Sequence, residues 1–260
     1  MSIDIIVVTH PLKDCTGFVE RASKGFGSAG VTVHTHKANT NALEIPEGLK
    51  AIIAYGGDGT FTTAMRLYGH TGVPIAGTSN GNVGFLTPWK EYGMKDQGED
   101  KISQRWMGSF ADSATGENQP FANDLVIRRE DRKTGKFWVR DQRGRKVTEF
   151  RADGVILSTP TGSTAYNLSA GGPIVHPTMQ CMIITPICAI AMGARPIVVP
   201  MVAGWQVTEE TACLLSVELD GISQEPEHMV LTGEPTTCNV LLPGGHNFYE
   251  LLEKKLGWNK

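Results

Sequence analysis

The stretch that most constrains this chain is Leu49 to Tyr68, an apolar run that breaks into glycines and then resumes with helical spacing. Leu49 to Tyr55 reads as a buried strand. Tyr55-Gly56-Gly57-Asp58-Gly59-Thr60 reads as a sharp turn, and Thr60 to Tyr68 as a helix. In that helix Phe61, Ala64, Met65 and Tyr68 are spaced for one buried face. Glycines let the backbone turn tightly and approach a ligand. The amides at a helix start favour negative charge, so a strand–turn–helix of this kind suits a phosphate. Asp58 is out of place in a plain phosphate cradle. It repels the phosphate unless it takes a proton, meets a metal or grips a hydroxyl.

The flanking segments extend the pattern. Ile3 to Thr9 is a short β-branched strand, Asp14 to Phe26 a helix, Val31 to His34 a second strand and Val73 to Gly77 a fourth. Strands alternating with helices predict a mostly parallel sheet with right-handed crossovers. Ligands of such sheets sit at the carboxyl ends of strands, where Gly56–Thr60 and Thr78–Gly84 both fall. Near residue 98 the texture changes. Gln97 to Asn118 is polar and reads as a connection, with a helix expected around Ile102 to Phe110. Beyond it come strand-like runs. Thr134-Gly135 and Arg143-Gly144 are expected as hairpin turns. The second half is therefore largely β, and a short helix is expected within Asn247 to Lys260.

Several function classes fall away. A net charge of −3 over 260 residues gives nucleic acid no electrostatic footing. The basic residues from Arg128 to Lys146 are interleaved with Glu130, Asp131 and Asp141, and read as a solvated hairpin. The longest apolar run, Met182 to Ala194, contains Pro186 and falls short of the roughly 20 residues a bilayer needs. Five cysteines without a C-x-x-C pair read as reduced thiols of a cytoplasmic protein, and no secretory signal is expected at Met1. Gly25 to Gly30 matches G-x-G-x-x-G but closes a helix and precedes a strand, the reverse of the dinucleotide-binding context. Gly77 to Gly81 matches G-x-S-x-G, yet no helix pattern follows directly. His34 and His36 alternate on a strand without a third ligand, so no metal site is expected there. There is no P-loop lysine motif, so the positive field for a phosphate must come from amides, a divalent ion and an arginine.

A second stretch, Arg151-Ala152-Asp153-Gly154 through Ser158-Thr159-Pro160-Thr161-Gly162-Ser163-Thr164-Ala165-Tyr166-Asn167-Leu168-Ser169 to Gly172-Pro173, is dense in small hydroxyl residues and glycine. It can set many short donors and acceptors around a polar ligand, with Tyr166 offering a ring to a flat base. The alternative is a tightly turned β connection in which Ser and Thr serve their own backbone. Asn123-Asp124 adds an amide beside a carboxylate, a pair suited to ribose hydroxyls and also common in turns.

Together these residues resemble the NAD kinase family. The GGDGT turn is shared with lipid kinases and phosphofructokinases. The Asp153–Pro173 stretch, Asn80–Leu86, Asn123-Asp124, Ala194-Arg195-Pro196 and the closing Leu256-Gly257-Trp258 follow the family's order. The resemblance implies an α/β plus β protein. An N-terminal Rossmann-like parallel-sheet domain is expected over 1–97 and a β-rich, β-sandwich-like domain over 98–240. The tail, 241–260, is expected to return to the first domain. It implies transfer of the γ-phosphoryl of ATP, or of polyphosphate, to the 2′-OH of the adenosine ribose of NAD, with Mg²⁺ or another divalent cation held mainly through the donor phosphates. Membrane and nucleic acid are not implied as partners, and a homotetramer or homodimer is.

Carried over position by position, Asp58 would orient or deprotonate the 2′-OH. Gly57, Gly59 and Thr60 would meet phosphate, and Phe85 would flank adenine. Asn123 and Asp124 would hold the adenosine, with Arg151 and Asp153 lining the site. Thr164, Ala165, Tyr166, Asn167 and Ser169 would border adenine and ribose. Two departures stand out: the family usually has Asn-Glu at Asn123-Asp124, and Asp-Gly-Gln where this chain has Asp220-Gly221-Ile222. A diacylglycerol-type lipid kinase and a dinucleotide-binding protein with weak catalysis are the competing readings.

Overall fold

The computed structural model of the chain describes residues 3–27, 30–38, 40–79, 84–90, 99–112, 115–191 and 193–257. It divides into two compact units, one of residues 1–104 with 238–260 and the other of residues 105–237.

The first unit opens with β1 (Ile3–Thr9), α1 (Thr16–Gly27), β2 (Val31–Lys37), β3 (Leu49–Tyr55), α2 (Asp58–Tyr68) and β4 (Ile75–Ser79), followed by the two-residue β5 (Trp89–Lys90). β1 lies between β2 and β3, and β3 pairs with β4, all in parallel. Burial follows from this placement. Ile6, Val7 and Val8 of β1 are fully buried, as is Ile52 of β3. A parallel strand covered on both faces needs such a continuous apolar run. α2 buries Phe61, Ala64, Met65 and Tyr68, and begins at Asp58, two residues before the expected start.

Tyr68 also carries a polar anchor. Its hydroxyl accepts the Leu43 N–H at 2.9 Å and bonds His36 Nδ1, while His36 Nε2 bonds the Thr40 carbonyl. One phenol thus ties the strandless 41–48 connection to the core, and the two histidines read as a poor metal pair are spoken for. The partner of His34 is Asp4, at 2.9 Å.

The second unit holds β6 (Lys101–Ala111, which begins in the first unit), β7 (Asn118–Phe121), β8 (Asp124–Arg129), β9 (Gly135–Arg140), β10 (Lys146–Ala152), β11 (Gly154–Ser158), the single-turn α3 (Tyr166–Ser169), β12 (Cys181–Ile187), β13 (Ile197–Pro200), β14 (Gln206–Glu209), β15 (Leu215–Leu219), β16 (Ile222–Ser223) and β17 (Met229–Leu231). Antiparallel pairing gives a six-stranded sheet ordered β13-β12-β11-β8-β15-β16 and a four-stranded sheet ordered β10-β9-β14-β17. Both contribute to one apolar core that includes Leu125, Ile127, Leu157 and Leu215 from the larger sheet and Phe137, Val139, Phe150 and Val207 from the smaller. The chain then returns to the first unit: β18 (Thr236–Leu242) pairs in parallel with β4. α4 (Phe248–Leu256) follows, capped by Asn247 at its start and by left-handed Gly257 at its end.

Three expectations are corrected. The segment around Ile102 to Phe110 is a strand, not a helix. It pairs with β7, placing Gly108 opposite Phe121, and a Cβ at Gly108 would stand 2.1 Å from that ring. Tertiary pairing outweighs local pattern here. Thr134-Gly135 does not close a hairpin, because β8 and β9 belong to different sheets. The link is fixed instead by Arg129, whose guanidinium bonds Asp131 and the buried Glu209. The start of the basic run is therefore structural rather than solvated. Arg143-Gly144 does close the β9–β10 hairpin. Among the described residues no helix is long and apolar enough to cross a membrane.

Tyr68→Phe keeps the ring and leaves the Leu43 N–H and His36 Nδ1 without their partner. The expected loss is about 1–3 kcal/mol, the cost of unsatisfied buried groups. It is read as a lower urea midpoint at unchanged slope. An unchanged midpoint would show that the connection is anchored elsewhere.

Candidate active site

In the first unit the site is built around the β3–α2 turn. Gly57 caps α2 with no side-chain bond, so the helix start presents its backbone. Gly56 donates to the Thr78 carbonyl at 2.9 Å, and a Cβ at Gly56 would stand 2.3 Å from the Thr60 hydroxyl. Only a glycine lets the strand end lie against the helix this closely. Thr60 is buried, and its hydroxyl is without a hydrogen-bond partner among the described residues, as is that of Thr78. Such orphaned groups at a strand's carboxyl end suit a polar ligand.

Asp58 faces the loop that follows β4. Its Oδ2 accepts the Phe85 N–H and its Oδ1 the Leu86 N–H, each at 2.9 Å. Phe85, expected at the adenine, is half-buried and held beside Asp58 by its own backbone. Asn80, Gly81, Asn82 and Val83 of the same motif lie outside the described residues, as does Trp258.

In the second unit the Asn123-Asp124 pair opens β8. The Asp220 carboxylate accepts three consecutive N–H groups, from Ala122 at 2.8 Å, Asn123 at 2.7 Å and Asp124 at 3.1 Å. Asp220 holds a left-handed conformation at φ 49°, and its own N–H donates to the Asp124 carbonyl at 3.0 Å. The small-residue stretch packs on the other side. Thr159 donates from its hydroxyl to the Ala122 carbonyl at 2.6 Å and from its amide to the Asn123 carbonyl at 2.9 Å. A Cβ at Gly162 would stand 2.1 Å from that Asn123 carbonyl. Asn123 and Asp124 are thus gripped by Asp220 and by the Thr159–Gly162 turn.

Asn167 has a different place from its expected neighbours. It is fully buried. Its amide donates to the Ser163 and Pro173 carbonyls at 3.0 Å each and accepts from the Thr185 hydroxyl at 2.7 Å. Its contacts shape the turn from inside. Thr164, Ala165 and Tyr166 are half-buried and Ser169 is exposed, so these remain accessible to a ligand. Arg151 is exposed on β10, and Asp153 accepts from the Thr134 hydroxyl at 2.8 Å.

Arg128, read from the sequence as part of a solvated hairpin, stands instead against Tyr166. It donates to the Tyr166 hydroxyl at 2.9 Å, stands 5.6 Å from that ring's centre and pairs with Glu218 at 3.3 Å. Its signal was available: Arg128 lies four residues beyond Asp124 on the same strand, hence on the same face. Ile222, where the family usually has glutamine, is exposed, and the Gln224 side chain turns back onto the Ile222 carbonyl.

Burial, reinforced by the charges of Asp220 and Glu218, pushes the Asp124 carboxyl up to about 7. The folded state then holds a proton that the unfolded chain releases near its ordinary value of 3.8. The group's effect is absent below that value and increasingly destabilising as pH rises to about 7. Asp124→Asn is therefore expected to leave stability unchanged near pH 3.8 and to raise it at pH 8, by on the order of a few kcal/mol. Denaturant titrations across that range check this; parallel pH profiles for the two proteins would sink it.

Residues 17–100 match the family described as ATP-NAD kinase N-terminal domain, and residues 122–226 match the ATP-NAD kinase C-terminal domain. A curated NAD kinase of Geotalea daltonii is 33% identical over 233 residues, covering 84% of this chain and 81% of its own length. One of Symbiobacterium thermophilum is 33% identical over 280 aligned residues, covering 97% of each. Among solved structures, an NAD kinase from Archaeoglobus fulgidus in complex with ATP aligns with TM-score 0.75 at 25% identity, covering 97% of this chain and 98% of that one. The yeast NADH kinase complexed with NADH shares the fold, with TM-score 0.76 at 21% identity, covering 99% of this chain and 89% of that one. With both family domains matched in order and relatives one-third identical over most of its length, this chain belongs to the NAD kinase family.

Proposed function

We infer that this protein is an NAD kinase that phosphorylates the 2′-OH of the adenosine ribose of NAD, with ATP as donor and NADP and ADP as products. The observation that carries the reading is Asp58, a carboxylate fixed by two backbone amides at the uncapped start of α2. Such a helix start favours the arriving phosphate, and a carboxylate beside it meets the hydroxyl to be phosphorylated. The 2′-oxygen attacks the γ-phosphorus and the bond to the bridging oxygen of ADP breaks. The hydroxyl proton passes to Asp58.

Gly57, Gly59 and the Thr60 hydroxyl, unpartnered among the described residues, fit phosphate recognition. Asn123 and Asp124 take the ribose and adenine, with Thr164, Ala165, Tyr166 and Ser169 at the border and Arg128 holding Tyr166 in place. Arg151 and Asp153 line the same ligand further along. Asn167 supports the turn by its buried bonds.

Mg²⁺ would enter on the donor, with phosphate oxygens and water as its main ligands. Bound there, it neutralises the donor phosphates. Polyphosphate remains an alternative donor, and the working assembly is a homodimer or homotetramer.

The test is purified protein with NAD, ATP and Mg²⁺, following NADP with an NADP-specific dehydrogenase. NADP should accumulate, and none with either ATP or polyphosphate would end the kinase reading. Asp58→Asn is expected to lower kcat by at least about a hundredfold, the lower end for a general base. A near-normal kcat would confine Asp58 to binding.

A further inference from the structure

Asp58 makes bonds that phosphoryl transfer does not require. Besides the Phe85 and Leu86 amides, it faces the Thr87 hydroxyl, 3.5 Å from Oδ1. That hydroxyl accepts the Gly84 N–H at 3.1 Å. Thr87 is fully buried. A Cβ at Gly84 would stand 2.0 Å from Asp58 Oδ1 and 2.6 Å from the Thr87 hydroxyl. Four consecutive residues therefore wrap one carboxylate with no room for another side chain. Phe85 and Leu86 belong to no helix or strand, so the carboxylate stands in for a ladder.

We propose that Thr87 is a positioning residue for NAD capture. With Asp58 it clamps the 84–86 backbone to the start of α2, and so sets where the Phe85 ring stands. The clamp rests on geometry; its effect on NAD rests on the kinase reading. A carboxylate has about four lone-pair sites, so Asp58 can hold the loop and still meet a ribose hydroxyl. Any change at Asp58 disturbs both tasks. Asparagine there turns an NH₂ group toward one of two backbone N–H groups, donor against donor. Thr87 belongs to the clamp alone, so substitution there separates holding from chemistry. A bond that served only stability would leave both kinetic constants alone. One that places Phe85 changes the KM for NAD and spares kcat.

Thr87→Val keeps the shape and removes the hydroxyl; Thr87→Ser keeps the hydroxyl. Thr87→Val is expected to raise the KM for NAD by roughly five- to tenfold, the effect of about one hydrogen bond. The kcat and the KM for ATP should stay within about twofold, and Thr87→Ser should restore the KM for NAD. Amide exchange in the NAD-free protein reads the clamp without turnover. Phe85 and Leu86 should be protected in the unaltered protein and exchange at least about tenfold faster in Thr87→Val. Unchanged exchange in that variant, or a fall in kcat at constant KM, overturns the proposal. If Thr87→Val does not fold, the unaltered protein decides, because unprotected Phe85 and Leu86 amides also overturn it. Protein that makes no NADP would defeat the kinase reading and leave the exchange result to judge the clamp.

Discussion

Backbone at the edge of a strand or outside any helix or ladder keeps one geometry only if something else bonds its N–H groups. In this chain carboxylates do it. Asp58 accepts two consecutive amides at Phe85 and Leu86. Asp220 accepts three, from Ala122 to Asp124. A charged acceptor makes a stronger hydrogen bond than a neutral one. A row of N–H groups aimed at one point also offers little freedom to drift. The two anchors lie in different units and on unrelated elements, yet each fixes residues that we propose for NAD. Asp58, out of place in a plain phosphate cradle, is partly there to hold main chain.

Close approach is the second half of that device. Gly56, Gly84 and Gly162 each sit where a Cβ would fall 2.0 to 2.3 Å from the atom they face. The contacts are with the Thr60 hydroxyl, Asp58 Oδ1 and the Asn123 carbonyl. These glycines serve less to bend the chain than to let backbone lie directly on a functional group. A methyl group at any of them would have to displace an anchor as well as make room for itself.

The parts legible in the sequence were those written in local pattern. β3 reads from its apolar run with its observed ends, and the β9–β10 hairpin from Arg143-Gly144. The β-rich second unit reads from its repeated short runs. What was not legible depends on partners far away in the chain. The strand at Lys101–Ala111 looks helical until Phe121 and Thr232 lie beside it. Arg129 looks solvated until Glu209 arrives from 80 residues away. Thr87 carries no motif at all. Its meaning comes from Asp58, 29 residues earlier, and no periodicity of helix or strand encodes that distance.

Asp220 shows how one anchor sets the chemistry of its neighbour. Its negative charge is useful to the Ala122–Asp124 amides, and the same charge acts on the Asp124 carboxyl beyond them. With burial as the larger cause and Glu218 adding to it, Asp124 is left near 7. A carboxyl in that range is a hydrogen-bond acceptor in one state and also a donor in the other. The backbone amides are best served by a charged anchor, whereas the buried Asp124 carboxyl is made costly to ionise by it. Both demands fall on adjacent residues of one strand start, so the geometry of Asn123-Asp124 and its protonation cannot be adjusted independently.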